Sequence, residues 1–228
     1  MADRWVTFDC YGTLVDWWTG MGRAAAGAAG ERGQEVLDAY HPHELVLETE
    51  QPIRSYREIL REGLRRAAAD VGVQLTRDGE EAFVRAWTGM PVFDDVRPAL
   101  GALRDAGWRS AILTNCDDDL IAGTQEHLPV ELDMVVTAEQ VGSYKPDLGH
   151  FRVFRERSGV ALGDWVHVAC SWIHDVFPAA RMGVPCVWVD RDRSGHPAAI
   201  ATEVLPDMRG LPEAVERAAA RHGAQPAR

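Results

Sequence analysis

Cysteine is scarce in this chain, long apolar runs are missing, and positive charge is in deficit. Four cysteines, Cys10, Cys116, Cys170 and Cys186, are spread over 228 residues. They form no CxxC pair and no zinc spacing, which excludes a cysteine-built metal module and leaves reduced thiols in a cytoplasmic protein as the expectation. No stretch reaches the roughly 20 apolar residues a membrane-spanning helix needs. The opening residues, Met1 to Asp9, lack the apolar run of a signal peptide. Lys and Arg number 24 against 35 Asp and Glu, a formal net charge of -11. That acidity disfavours nucleic acid and anionic membranes as partners. A small anionic substrate stays open, because local charge can oppose the net charge, and so does a homodimer.

Enough is present for a core. Hydrophobic residues make up 46% of the chain, and the length suits one domain, or a core carrying a smaller insertion. Trp5-Val6-Thr7-Phe8 reads as a short strand ended by Asp9-Cys10-Tyr11-Gly12-Thr13, where Gly12 permits a tight turn. From about Trp17 to Trp87 no confident strand occurs. Within Tyr56 to Val71, apolar side chains recur at Ile59, Leu60, Leu64, Ala67, Ala68 and Val71, which is helical spacing. After Pro91 the pattern changes. Buried-strand runs at 110–113, 134–136, 166–169 and 186–189 alternate with helical segments near 95–106, 118–127, 148–158 and 176–182. Gly107 and Gly183 stand where helices end. A last helix is expected from Leu211 to Arg221, with a frayed end over 222–228. The expectation is an α/β protein: a Rossmann-like parallel sheet over 1–15 and 92–228, with an all-helical cap inserted at 16–91.

In such sheets ligands sit at the carboxyl ends of strands. Asp9 follows the first strand, Thr114 and Asn115 the second. Lys145 lies in Ser143-Tyr144-Lys145-Pro146-Asp147, and Ser171 to Asp175 follow the 166–169 strand. Each residue alone has a bland explanation as a cap or loop former. Together they bring a carboxylate, a hydroxyl, an amide, an ammonium and a second carboxylate to one edge. A carboxylate can attack carbon or phosphorus to form a covalent intermediate. A neighbouring lysine keeps it ionised, and a second carboxylate can activate water.

Phe8-Asp9-Cys10-Tyr11-Gly12-Thr13-Leu14, Leu113-Thr114-Asn115, Tyr144-Lys145-Pro146-Asp147 and Ser171 to Asp175 resemble the four motifs of the haloacid dehalogenase superfamily. The Asp-x-Tyr-Gly-Thr and Tyr-Lys-Pro-Asp forms resemble its type II, L-2-haloacid dehalogenase group. The resemblance implies a capped Rossmann-like hydrolase with catalytic roles for Asp9, Thr13, Thr114, Lys145 and Asp175. It places Tyr11, Asn115, His41, Ser171 and Trp172 against the substrate. Superfamily phosphatases carry a second Asp two residues after the nucleophile to protonate a leaving alkoxide. Tyr11 stands there, and a halide leaves without a proton, which favours carbon–halogen or similar cleavage.

The sequence also departs from that group. His41 aligns with an arginine that grips the leaving halide. Cys170 and Trp172 replace the Ser and Asn that orient the hydrolytic water, and Phe151 replaces a Tyr. Cysteine bonds weakly and the indole only donates, so Asp175, expected as the general base, would need His174 as a proton shuttle. Trp17, Trp18, Tyr56 and Trp172 either line an aromatic pocket or pack the cap hinge. The leading expectation is an aspartyl-ester hydrolase acting at C2 of a small 2-substituted carboxylic acid, or opening a strained ring, with no cofactor and no metal. Two others stand beside it. One is a magnesium-dependent phosphatase, with Asp9 and Asp175 supplying oxygen ligands. The other is a non-enzymatic binding protein on the same fold.

Overall fold

The computed structural model describes residues 3–223. Six strands form one sheet: β1 (Arg4–Phe8), β2 (Trp108–Thr114), β3 (Met134–Thr137), β4 (Trp165–Ala169), β5 (Cys186–Val189) and β6 (Glu203–Leu205). The order is β3-β2-β1-β4-β5-β6, and every pairing is parallel. The central strands are buried almost throughout, which is why they read as continuous apolar runs. The sixth strand escapes the sequence pattern: Glu-Val-Leu is short and half-exposed at an edge.

Helices cover both faces. They are α5 (Val96–Asp105), α6 (Asp118–Gln125), α7 (Ala138–Val141), α8 (Gly149–Ser158), α9 (Phe177–Met182) and α10 (Leu211–Gly223), numbered after four in the insertion. A π-turn over Trp172–Val176 leads into α9. The frayed end expected at 222–228 falls almost entirely outside the described residues.

Residues 16–91 contain α1 (Trp17–Ala29), α2 (Gly33–Leu47), α3 (Tyr56–Asp70) and α4 (Arg77–Ala86), and no strand. Helix α3 begins with a capping box, Ser55 against Glu58, which satisfies donors that a helix start leaves unpaired. It buries Ile59, Leu60, Leu64, Ala67 and Ala68 against the cap interior. The two crossings between core and cap run side by side, with Asp16 N–H donating to Pro91 O at 2.7 Å and Phe93 N–H to Leu14 O at 3.1 Å. A second tie comes from the core: the Asp117 carboxylate accepts from the Tyr56 and Arg57 N–H groups at 2.7 and 3.0 Å, capping α3 from across the boundary.

This topology dictates where chemistry can occur. The chain goes one way from β1 to β2 and β3, and the other way from β4 to β5 and β6. The crevice at such a reversal lies at the carboxyl ends of β1 and β4. Asp9 and the 170–175 segment leave the sheet there, beneath the cap.

Candidate active site

Asp9 leaves β1 with its carboxylate held on both oxygens. Oδ2 accepts from Thr13 Oγ1 at 2.8 Å and Oδ1 from Lys145 Nζ at 3.0 Å. Thr13 is positioned in turn by accepting the Cys170 N–H at 2.9 Å. The turn between them needs Gly12: its φ is 88°, and a Cβ there would lie 2.7 Å from Cys170 Sγ. Lys145 is fully enclosed. Its three N–H donors go to Asp9 Oδ1, to Asp175 Oδ1 at 2.7 Å and to Leu113 O at 2.9 Å, which uses the whole donor capacity of an ammonium. Two carboxylates thus share one cation. Burial pushes the Asp9 carboxyl above its ordinary range despite Lys145. Burial acts the same way on Asp175, but Lys145 and His167 outweigh it and hold that carboxyl at about 2.

Behind Asp175 runs a buried line that the sequence showed only as one histidine in an apolar strand. Trp165 Nε1 donates to Thr7 Oγ1 at 2.8 Å, Thr7 lies 2.8 Å from His167 Nδ1, and His167 Nε2 lies 3.0 Å from Asp175 Oδ1. An indole can only donate. Thr7 Oγ1 therefore accepts from Trp165, and His167 stands between Thr7 and Asp175 with one ring nitrogen on each. Asp175 is 0% exposed, and its Oδ2 is buried without a partner. This differs from the expectation of a water-activating base: the carboxylate is buried, spends Oδ1 on Lys145 and His167, and held at about 2 it accepts protons poorly. Its place in the structure is to hold Lys145.

Above Asp9 lies a cavity of 280 Å³. The core lines it with Asp9, Tyr11, Thr114, Asn115, Lys145 and the 170–175 segment, and the cap with Trp17, Trp18, His41, Glu44, Glu48, Tyr56 and Trp87. The aromatic residues considered as hinge packing therefore also form its wall. Tyr56 and Tyr11 sandwich Trp87 at 4.8 and 4.2 Å between centroids.

The sequence-derived site residues divide on closer view. Tyr11 lines the cavity with its ring, while its hydroxyl pairs with Thr124 Oγ1 at 2.9 Å. Thr114 donates to Cys116 Sγ at 3.5 Å and makes no bond to Asp9. Asn115 lines the cavity and is also a clamp: it accepts the Lys145 N–H at 2.7 Å and donates to Lys145 O at 3.0 Å and Glu48 Oε1 at 3.1 Å. Trp172 lines the cavity, donates to Pro197 O and stacks on His196. Phe151 is buried against Trp165 and His167 below the site. His41 sits at the cavity edge, paired with Glu44 at 3.2 Å, and among the described residues no arginine lines the cavity.

Two groups on the cap wall were not singled out from sequence. Glu44 is buried, accepting from Tyr40 and Tyr56 hydroxyls. Glu48, whose carboxyl burial pushes upward, meets His174 Nε2 at 3.2 Å. His174 in turn places Nδ1 3.1 Å from Ser171 Oγ. Glu44 lies on α2 and Glu48 just after it.

The ammonium of Lys145 already bridges Asp9 and Asp175, and among the described residues no group of three His, Cys, Asp or Glu side chains is placed to hold an ion.

Fold and site together define a capped α/β hydrolase with a carboxylate presented at the end of its first strand. A family model for haloacid dehalogenase-like hydrolases matches residues 4–169. The chain is 24% identical over 195 residues to (S)-2-haloacid dehalogenase 1 of Pseudomonas sp. (strain CBS-3), covering 82% of this chain and 85% of that enzyme. It is 32% identical over 158 residues to a phosphoserine phosphatase of Thermus thermophilus, covering 66% of this chain and 59% of that one. The crystal structure of L-2-haloacid dehalogenase from Xanthobacter autotrophicus with chloropropionic acid covalently bound superimposes with a TM-score of 0.80 at 19% identity, covering 94% of this chain and 98% of that one. The chain belongs to the haloacid dehalogenase-like hydrolases.

Proposed function

We propose that this hydrolase works through an ester on Asp9 and displaces the C2 substituent of a small, anionic 2-substituted carboxylic acid, without a metal or other cofactor. The observation that carries this reading is the Asp9–Lys145–Asp175 arrangement: the cation that an attacking carboxylate needs comes from the chain itself. In the first step an Asp9 oxygen bonds to C2, and the C2–leaving-group bond breaks with its electron pair. In the second, water attacks the Asp9 ester carbon, freeing a 2-hydroxy acid and restoring the carboxylate. Thr13 and Lys145 hold Asp9 oriented throughout. Tyr11 speaks against phosphate esters, because its hydroxyl is committed to Thr124.

The test is a paired assay: halide release from 2-chloropropanoate and phosphate release from phosphoserine with magnesium. Chloride release by the wild type and none by Asp9→Asn supports the reading. Phosphate release without chloride release would move the protein to the phosphatase side.

A further inference from the structure

Ser171, His174 and Glu48 form a line that neither Asp9 chemistry nor cap packing accounts for. All three border the same cavity as Asp9. Glu48 comes from the cap just after α2, and the other two come from the π-turn after β4. The line is held at both ends. Asn115 donates to Glu48 Oε1 at 3.1 Å while clamped on the Lys145 backbone. Ser171 caps the π-turn by accepting the His174 N–H at 3.2 Å.

Counting hydrogens gives the line a direction. A hydroxyl has one donor and two acceptor positions. Ser171 Oγ accepts the His174 backbone N–H at 3.2 Å and lies 3.1 Å from the ring Nδ1. When Nδ1 carries a proton both acceptor positions are taken, and the Ser171 O–H is left to donate outward. On the far side the ring Nε2 meets Glu48 Oε2 at 3.2 Å. Glu48 favours the charged ring: burial alone would lower its pKa, but the glutamate outweighs burial and raises it. Two other groups that could serve a leaving group are out of play. The Tyr11 hydroxyl is committed to Thr124, and among the described residues no arginine lines the cavity to grip a departing anion.

We propose that Ser171, His174 and Glu48 are a proton relay that lets this site expel leaving groups needing a proton, so that its substrates include 2-carboxylates whose C2 bears an oxygen or nitrogen substituent, strained rings among them. This deepens the Asp9 reading and rests on it. In the first step the Asp9 carboxylate bonds to C2, and the C2–O or C2–N bond breaks. The departing atom takes the Ser171 hydrogen, and Ser171 is refilled from His174 Nδ1, leaving a neutral imidazole. In the second step water adds to the Asp9 ester carbon. One of its protons returns through Ser171 to His174; the ester C–O bond breaks, and the departing C2 oxygen takes water's other proton, which restores the Asp9 carboxylate. Each step balances, and the relay ends as it began. It also supplies the base that buried Asp175 does not. Ser171 is the group that touches substrate; His174 and Glu48 act through it.

The experiment uses two probes with the same carboxylate end, 2-chloropropanoate and oxirane-2-carboxylate. Chloride departs bare, whereas the ring oxygen must be protonated. Single-turnover adduct formation is read by peptide mass spectrometry in the wild type, Ser171→Ala, His174→Gln and Glu48→Gln. We expect both probes to esterify Asp9 in the wild type. In Ser171→Ala and His174→Gln the oxirane reaction should slow at least roughly 100-fold more than the chloride reaction, the low end of general-acid contributions. Glu48→Gln should shift the ratio the same way by less. A uniform loss on both probes, or a wild type that takes chloride and never oxirane, overturns the relay and leaves Asp9 standing. Adducts with neither probe, or an adduct on Ser171, overturn the Asp9 reading itself. If Ser171→Ala does not fold, the ratio in His174→Gln decides alone.

Discussion

Removing the Lys145 ammonium should be among the most damaging single changes this fold can suffer. Lys145→Met keeps the length and apolar stem of the side chain and deletes only the charge. The side chain is 1% exposed, and its three hydrogens satisfy Asp9, Asp175 and Leu113. Without it, two carboxylates are left facing each other, one of them fully buried. Breaking a buried pair by removing one partner costs about 3–5 kcal/mol. The cost should depend on pH with a known sign. In the variant both carboxyls have folded pKa values above the unfolded value of ~3.9, so the folded state binds more protons than the unfolded state. The penalty is complete above the raised values and shrinks as pH falls toward ~4, because protonation removes the unpaired charge. Urea unfolding at neutral pH and near pH 5 measures it. A loss under about 1 kcal/mol at neutral pH, or a penalty that does not shrink on acidification, would refute the buried charge-sharing arrangement.

Other outcomes follow from the same geometry. Asp9→Asn should abolish turnover while leaving the thermal midpoint within a few degrees of wild type, as thermal unfolding beside an activity assay will show. Turnover should survive dialysis against a chelator, since the positive charge at Asp9 is Lys145; loss restored by magnesium would contradict this. The acid limb of the rate profile should sit above the ordinary carboxylate range, because the raised Asp9 carboxyl is protonated there and cannot attack. Asp175, held at about 2 against an ordinary 3.8, contributes stability that is present above 3.8 and lost as pH falls through 2. Acid unfolding of the wild type against Asp175→Asn measures that share.

Much of the architecture was legible because two periodicities do not mix. The stripe from Ile59 to Ala68 repeats with a helix, and the runs ending at Phe8, Leu113 and Ala169 have the unbroken apolarity of strands buried on both faces. Strand β6 was not legible, since three residues at a sheet edge carry no such pattern. Asp9, Lys145 and Asp175 were found by their place at strand ends, and the structure brings them within hydrogen-bond reach. What sequence could not give was direction. Asp175 and His174 are neighbours in the chain, yet one turns inward to Lys145 and the other faces the cavity and Glu48. A π-turn sets that divergence, and nothing in the residue types announces it. The cap wall was opaque for a related reason: which face of α2 is buried depends on how the cap closes over the core.

The central claim is a covalent bond between Asp9 and substrate, and oxygen-18 water tests it most directly. In a single turnover with enzyme in excess over 2-chloropropanoate, water attacks the Asp9 ester carbon. The peptide containing Asp9 should gain one heavy oxygen, and the 2-hydroxy acid should carry none. Heavy oxygen in the product and none in that peptide would mean that water attacks the substrate directly, and the account of Asp9 as nucleophile would be wrong.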